Sequence, residues 1–447
     1  MPRPPFLSLI RAVGPAVIAG LTIFCTPASP QTPAPVPIGD GPRENTACII
    51  RADSSSSVGG DTVRIALFDS VSRASAPDGE NDAERLVFRQ LYEPLVRLDC
   101  QGNLIGAAAR SWQTTDSGKS WTFELRDSLR YSDGSPYEAR EFPERPRPMA
   151  GADPYPIESV EAVSSHSIRV VLARAASTPK LFTDPAYNPG AVRAESSGDG
   201  WHLGTGPYRP DQNAPAGVLR LLAVDTAVRL PVLEFRQAGR SDPRDVLDHG
   251  TDLMVTADPR LLDYADGRGR FGSLSLPWSK TYLLVVAPPV SQLPLALVPL
   301  ADSVKSGVMR GALARDAVRA ESRAAPGMAV TQGNLSDVLV TWARGNGSIL
   351  YQPGDRTAQD LAERLVALVA PQLRWRAAPM GDSGHSSRTS FVGMVVSRSS
   401  ADPDWPVGLN LPLVETRAHA ILRRGSPAWV VDGDGTLRMP LPGAVPP

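Results

Sequence analysis

Between residues 62 and 136 the chain sets out a strand, a helix, a second strand and a tight turn in an order that leaves few folds open. Val63-Arg64-Ile65-Ala66-Leu67 is a short apolar strand. Arg85 to Val96 places Leu86, Phe88, Leu91 and Leu95 on or near one helical face, and Pro94 closes the helix, so this segment docks on a core. Thr122-Phe123-Glu124-Leu125-Arg126 alternates as a half-buried strand, and Asp133-Gly134 followed by Pro136 marks a turn. Most of these residues read as packing and turn chemistry rather than ligand contacts.

At 447 residues the chain exceeds what one hydrophobic core usually supports, so two domains or a two-lobed unit is expected. A net charge of -1 gives no reason to expect a nucleic acid or an anionic membrane surface as partner. Lysine occurs only at positions 119, 180, 280 and 305, and together with 44 prolines this reads as compositional bias rather than a phosphate-binding design. Arg3 and Arg11, the apolar run from Ala12 to Phe24 and the small residues Thr26-Pro27-Ala28 form an export signal over residues 1–28, too short for a comfortable membrane span. Cys25 leaves a lipid anchor open, although Phe24 stands where a small residue is needed. Residues 29–60, with Pro30, Pro33, Pro35, Pro37 and Ser54 to Ser57, cannot bury enough surface to offset ordering and read as a linker. Cleavage after Ala28 leaves Cys48 and Cys100 as an even pair in an oxidising compartment, and a bridge is favoured over two buried thiols.

Signatures of catalysis are thin. There is no G-x-S-x-G elbow, no H-E-x-x-H and no C-x-x-C, and the histidines at 166, 202, 249, 385 and 419 are scattered. Ser386 and Ser387 beside His385 sit in a Gly-Asp-Ser-Gly-His loop that reads as a flexible segment. No metal, no cofactor and no enzymatic activity are expected.

Several motifs carry a resemblance. Glu84-Arg85-Leu86-Val87-Phe88-Arg89-Gln90-Leu91-Tyr92-Glu93-Pro94-Leu95-Val96, Ala107 to Trp112, Trp121 to Arg126 and Tyr131-Ser132-Asp133-Gly134-Ser135-Pro136, taken in that order, are followed by a hairpin around Ser164 to Ser167 and by Gly204-Thr205-Gly206-Pro207-Tyr208. Together they resemble the family 5 extracellular solute-binding proteins, the peptide and nickel receptors of ABC importers. Val308 to Leu313 is similar to a further helix of that family, without the asparagine that usually precedes it. The glycines of the 204–208 loop allow positive backbone dihedrals and a close approach to other backbone. The chain departs from the family in its length, in an irregular stretch from Phe142 to Pro148 where a helix normally follows, and in a trimmed second lobe between Val290 and Leu350.

The resemblance implies an α/β, two-lobed fold like that of type II periplasmic binding proteins with a discontinuous first lobe. Lobe I is expected over residues 61–265 and 411–447, with a subdomain at about 85–195, and lobe II over 266–410. In the second lobe Ser348 to Tyr351, a helix from Ala358 to Leu368 and Leu373 to Arg376 form a parallel pair with its crossover. It implies an exported, periplasmic, monomeric receptor that captures an oligopeptide or similar small solute between its lobes and delivers it to an inner-membrane ABC permease. The alternative is a degenerate scaffold that binds another envelope protein, with a secreted hydrolase a distant third. Asp402, in Ser400-Ala401-Asp402-Pro403-Asp404-Trp405-Pro406, resembles the loop that holds a peptide's ammonium, with Asp404 as stand-in. A buried amine loses its hydration and needs such a carboxylate. Trp405, Trp278, Tyr282 and Tyr92 are the candidate aromatic lining.

Overall fold

The computed structural model describes residues 46–52, 61–77, 79, 81–142, 157–176, 178–183, 200–286, 318–319, 346–353, 355–369, 374–380, 391–399 and 409–440. The stretch expected to replace a helix after Phe142, the helix expected at Val308 to Leu313 and the leader and most of the linker lie outside these residues.

Two large mixed sheets carry the architecture. The first has seven strands in the order Phe271–Ser275, His419–Arg423, Leu253–Thr256, Thr62–Leu67, Val232–Gln237, Val218–Ala223 and Tyr208–Pro210. Thr62–Leu67 lies parallel to both of its neighbours, with Ile65 opposite Phe235 and Leu253, and the remaining pairs are antiparallel. The second has six strands in the order Val318–Arg319, Leu409–Thr416, Lys280–Val286, Phe391–Ser399, Asn346–Tyr351 and Arg374–Pro379. Here Asn346–Tyr351 and Arg374–Pro379 form the expected parallel pair, and the helix Arg356–Val369 that links them packs on both. Leu361 and Leu365 of that helix are buried, whereas Leu368 is 44% exposed, so the sheet covers the apolar stripe only as far as the penultimate turn.

The helix Asp82–Leu91 shows how local chemistry fixes an element. Asn81 caps it by accepting the N–H of Glu84 at 2.9 Å, and Asp82 and Glu84 place negative charge at its N-terminus. It ends at Leu91, earlier than the apolar periodicity suggests. Tyr92 has extended dihedrals, and Pro94 lacks a backbone donor and restricts Glu93 before it. Leu95 therefore leaves the helix and Val96 opens the strand Val96–Leu98, both residues contributing to a different core. The apolar periodicity continues across a change of element.

That second core fills a smaller four-stranded sheet, ordered Ala109–Thr115, Ser120–Leu125, Ser167–Leu172 and Ile157–Ser164, where Trp121, Phe123, Leu125, Ile168, Val170 and Phe182 meet. The main core lies between the first large sheet and the helix Asp82–Leu91, around Ile65, Phe88, Phe235 and Trp429. Cys48 and Cys100 form a disulfide, and Ile49–Ile50 pairs with Val430 and Trp429, so residues 48–50, within the 29–60 stretch expected as a loose linker, are instead fastened to the C-terminal hairpin and to the 98–104 turn.

Gly204 and Gly206 do bring their loop against other backbone, though neither has a positive φ. A Cβ at Gly204 would lie 2.0 Å from the carbonyl oxygen of Leu91, and one at Gly206 2.5 Å from the Gln90 oxygen. Closeness to the end of the helix, rather than left-handed backbone, is what requires glycine here. The N–H of Gly206 donates to Leu91 O at 2.9 Å and closes the contact.

Candidate functional site

The chain passes between the two large sheets twice, through residues 276–279 and through 417–418. These passages fall between strands. The limits expected at 265/266 and 410/411 fall inside the helix Pro259–Gly267 and the strand Leu409–Thr416, and Pro412 still pairs with Leu283 in the second sheet. The two connectors are bonded to each other, Leu276 N–H to Ala418 O at 3.0 Å and Ser279 N–H to Thr416 O at 3.2 Å. The Arg417 guanidinium lies 4.7 Å from the ring centre of Trp278, a cation–π stack between one connector and the other. The C-terminal turn rests on the same place. Gly435 has φ +80°, and a Cβ there would meet Ser279 Cβ at 3.0 Å.

Charged and hydroxyl groups surround this crossing. Lys280 Nζ reaches Asp82 Oδ2 at 2.7 Å, and Arg85 pairs with the other oxygen of the same carboxylate. Partial desolvation opposes the charge on Asp82, but Lys280 and Arg85 outweigh it and hold the carboxyl well below the ordinary range. On the next inward position of the same strand, the Tyr282 hydroxyl donates to the Asp355 carboxylate, 3.1 Å from either oxygen. Burial, and then the negative charge of Asp355, push the Tyr282 phenol far above its ordinary value. Asp355 also accepts the Ala358 N–H at 2.9 Å and so caps the helix Arg356–Val369. Thr281 Oγ1 lies 3.3 Å from the buried carboxylate of Glu415 on the returning strand.

The expected site residues separate into three groups. Trp278 and Tyr282 come together at the crossing, Trp278 partly exposed and Tyr282 buried with its hydroxyl engaged. Tyr92 lies apart in the main core, 2% exposed, edge-to-face with Phe88 and with its hydroxyl 3.4 Å from the His202 carbonyl oxygen. Asp402, Asp404 and Trp405 lie outside the described residues. Sequence reading missed Asp82, Lys280, Asp355 and Arg417. Lys280 had one signal, the rarity of lysine in this chain. Its pairing with a residue 198 positions away had none.

Among the described residues no cluster of three or more His, Cys, Asp or Glu is arranged to hold a metal ion. No helix among them is long and apolar enough to cross a membrane.

Residues 103–226 match the family model for bacterial extracellular solute-binding proteins, family 5 Middle. Over those residues the chain is similar to this family. The nickel-binding periplasmic protein of Escherichia coli K12 is 45% identical over 49 residues, 11% of this chain and 9% of that protein. The periplasmic oligopeptide-binding protein OppA of Salmonella typhimurium is 29% identical over 151 residues, 27% of each chain. These alignments span well under two thirds of either relative. Solved structures extend the likeness in fold. NikA from Staphylococcus aureus in complex with Ni(L-His)2 superposes with a TM-score of 0.62 at 13% identity, covering 85% of this chain and 99% of that one. The dipeptide-binding protein from Pseudoalteromonas sp. SM9913 in complex with Met-Leu gives 0.62 at 13% identity, over 84% and 98%. The fold of the chain is therefore the two-lobed α/β fold of type II periplasmic binding proteins, with a first lobe that is discontinuous in sequence.

Proposed function

We propose that this chain is a family 5 solute-binding protein and the exported receptor of an ABC importer, capturing an oligopeptide or a similar small solute between its lobes by hinged closure. The pair of bonded connectors at 276–279 and 417–418 carries this reading, because two strands of chain joining two sheets can bend without breaking either sheet. Lobe I then comprises residues 61–275 and 419–447 and lobe II residues 280–416. Residues 1–28 serve as the export signal and residues 29–45 as the linker. The receptor acts in the periplasm as a monomer, without metal or cofactor, and meets its permease at the inner membrane. A solute must bind the closed form more tightly than the open one for closure to follow.

Asp402 is the proposed partner of the ligand's ammonium, with Asp404 beside it and Trp405 and Trp278 as apolar lining. Ser399, three positions before Asp402 in sequence, pairs with Lys280 at the crossing, which supports this reading.

Thermal-shift measurement of the exported chain with peptide pools tests the reading. A ligand at about 100 times its dissociation constant stabilises by about 2.7 kcal/mol, which reads as a rise of several degrees. Asp402→Ala should abolish that rise and leave the unliganded melting temperature unchanged. Peptide binding that survives the substitution removes Asp402 from the site, and the absence of stabilisation by any peptide or peptide-like solute favours the scaffold reading.

A further inference from the structure

We infer that Asp82 and Lys280 form a latch between the lobes, one that sets the resting angle of the hinge. The inference deepens the proposed receptor function, since a latch has meaning only if the lobes move.

The two residues stand on opposite sides of the crossing. Asp82 opens the helix Asp82–Leu91, which is fixed in lobe I. Gln90 bonds the backbone at Leu437 and Met439, and Arg89 pairs with Asp434 at 2.5 Å. Asp82 is therefore a stationary post. Lys280 is the first residue of the strand Lys280–Val286 in the second sheet, immediately after the connector, and is the point where both neighbouring strands, at Ser399 and Thr416, reach the crossing. Rotation about residues 276–279 carries Lys280 with the second sheet while Asp82 stays with the first.

The same strand carries the motion outward. Lys280 and Tyr282 lie on one of its faces, because side chains alternate with a period of two. Tyr282 holds Asp355, which caps the helix Arg356–Val369, so the arm that reaches the post is coupled to the helix of lobe II through two hydrogen-bonded steps. Lysine suits the arm. Its ammonium is a point charge on a flexible stem and tolerates a change of angle that a forked guanidinium would not.

Two features make this contact releasable rather than permanent. The side chains are 27% exposed for Lys280 and 57% exposed for Asp82, and ion pairs that water can reach bias an equilibrium by about fivefold at most. Arg85 also pairs with Asp82, so the carboxylate keeps a cation when Lys280 departs and no bare anion is left at the helix N-terminus.

Small-angle X-ray scattering on the full exported chain without added peptide tests the latch separately from solute capture. Lys280→Met and Asp82→Asn should each shift the radius of gyration and maximum dimension in the same direction. The double variant should go no further than either, and Lys280→Arg should keep most of the native curve. Raising salt to about 1 M, where screening acts within about 3 Å, should move the native protein toward the variants and leave the variants unchanged. Curves that coincide for native and variant proteins at both salt concentrations would overturn the latch, as would single effects that add in the double variant. A failure to bind peptide would count against the receptor reading and leave this result standing.

Discussion

The side-chain oxygen of Gln90 accepts the backbone N–H of Met439 at 3.1 Å, joining a helix near the start of the fold to the residue that follows the strand Leu437–Arg438. The amide nitrogen of the same side chain donates to the carbonyls of Leu437 at 2.8 Å and Leu86 at 3.0 Å, and Gln90 is fully buried. One side chain thus supplies the partners that the C-terminal backbone would otherwise find only in solvent.

Gln90→Leu keeps much of the volume and removes these partners. Each buried backbone group left unsatisfied costs about 1–3 kcal/mol, so the variant, which strands Met439 N–H and Leu437 C=O, should lose about 2–6 kcal/mol of unfolding free energy. Urea denaturation measures it as a lower midpoint at an unchanged slope. A loss below about 1 kcal/mol would mean that water replaces the amide.

Arg89, Asp432, Asp434 and Arg438 form a low-exposure ion network on the same seam, with Arg438 Nε 3.0 Å from Asp432 and Arg89 Nε 3.6 Å from it. Burial works against the Asp434 carboxylate, but the Arg89 charge prevails and holds it below its ordinary range. A carboxyl depressed by folding contributes stability that is complete above its unfolded value, about 3.9, and is lost as the pH falls through the lower folded value. Asp434→Asn should therefore destabilise the protein near neutrality and flatten the dependence of its melting temperature on pH below about 4. A native-like acid limb in the variant would place the titration elsewhere.

The Cys48–Cys100 bridge closes a sequence separation of 52 residues. The loop-entropy relation gives about 4 kcal/mol for a closure of that size. Replacing both cysteines by serine should lower the unfolding free energy by up to that amount, and adding a reductant to the native protein should reproduce the loss. Strands Ile49–Ile50 and Trp429–Val431 would exchange their amide hydrogens faster in the variant, since their pairing depends on the tether.

Legibility in the sequence depends on whether an interaction is local. The hairpin at 164–167, the turn at Asp133-Gly134 and the parallel pair with its helix in the second sheet are governed by neighbours in sequence, and each lies where its residues place it. Leu95 reads as part of a helical face and is not, because apolar periodicity cannot show where one element yields to the next. The cysteine bridge is legible from count and compartment. Lys280 with Asp82, Arg417 with Trp278 and Tyr282 with Asp355 are not, since each pair is set by the crossing of two sheets and leaves no mark in a linear pattern.

Gly204 offers a sharper test of packing. Its alanine variant would put a methyl carbon 2.0 Å from the Leu91 carbonyl oxygen, with the Tyr92 ring at 2.7 Å on another side. Neither can withdraw easily, because Leu91 ends a capped helix and Tyr92 is enclosed by the main core. Overpacking of this kind costs about 1–3 kcal/mol or more. Gly204→Ala should lower the melting temperature clearly, whereas Gly102→Ala, at a turn with open space but φ +83°, should cost only the penalty of left-handed backbone, about 1–2 kcal/mol. Equal losses at the two positions would show that the 204 loop shifts to accept the methyl group.

Tyr282 separates scaffold from site at the crossing. The residue is 3% exposed and its hydroxyl is committed to Asp355, so the side chain has little left to offer a solute directly. Removing the hydroxyl in Tyr282→Phe forfeits a hydrogen bond to a charged acceptor, about 1.5–3 kcal/mol, while Asp355 keeps the Ala358 N–H and gains access to water. The expected outcome is a lower melting temperature, with peptide affinity that falls only insofar as the helix Arg356–Val369 shifts. Calorimetric titration should give a dissociation constant within about threefold of the native value, which corresponds to about 0.7 kcal/mol. A loss of about a hundredfold, or about 2.7 kcal/mol, would mean that the Tyr282 hydroxyl, rather than its ring, faces the solute in the closed form, and that Asp355 holds it in place only until a ligand arrives.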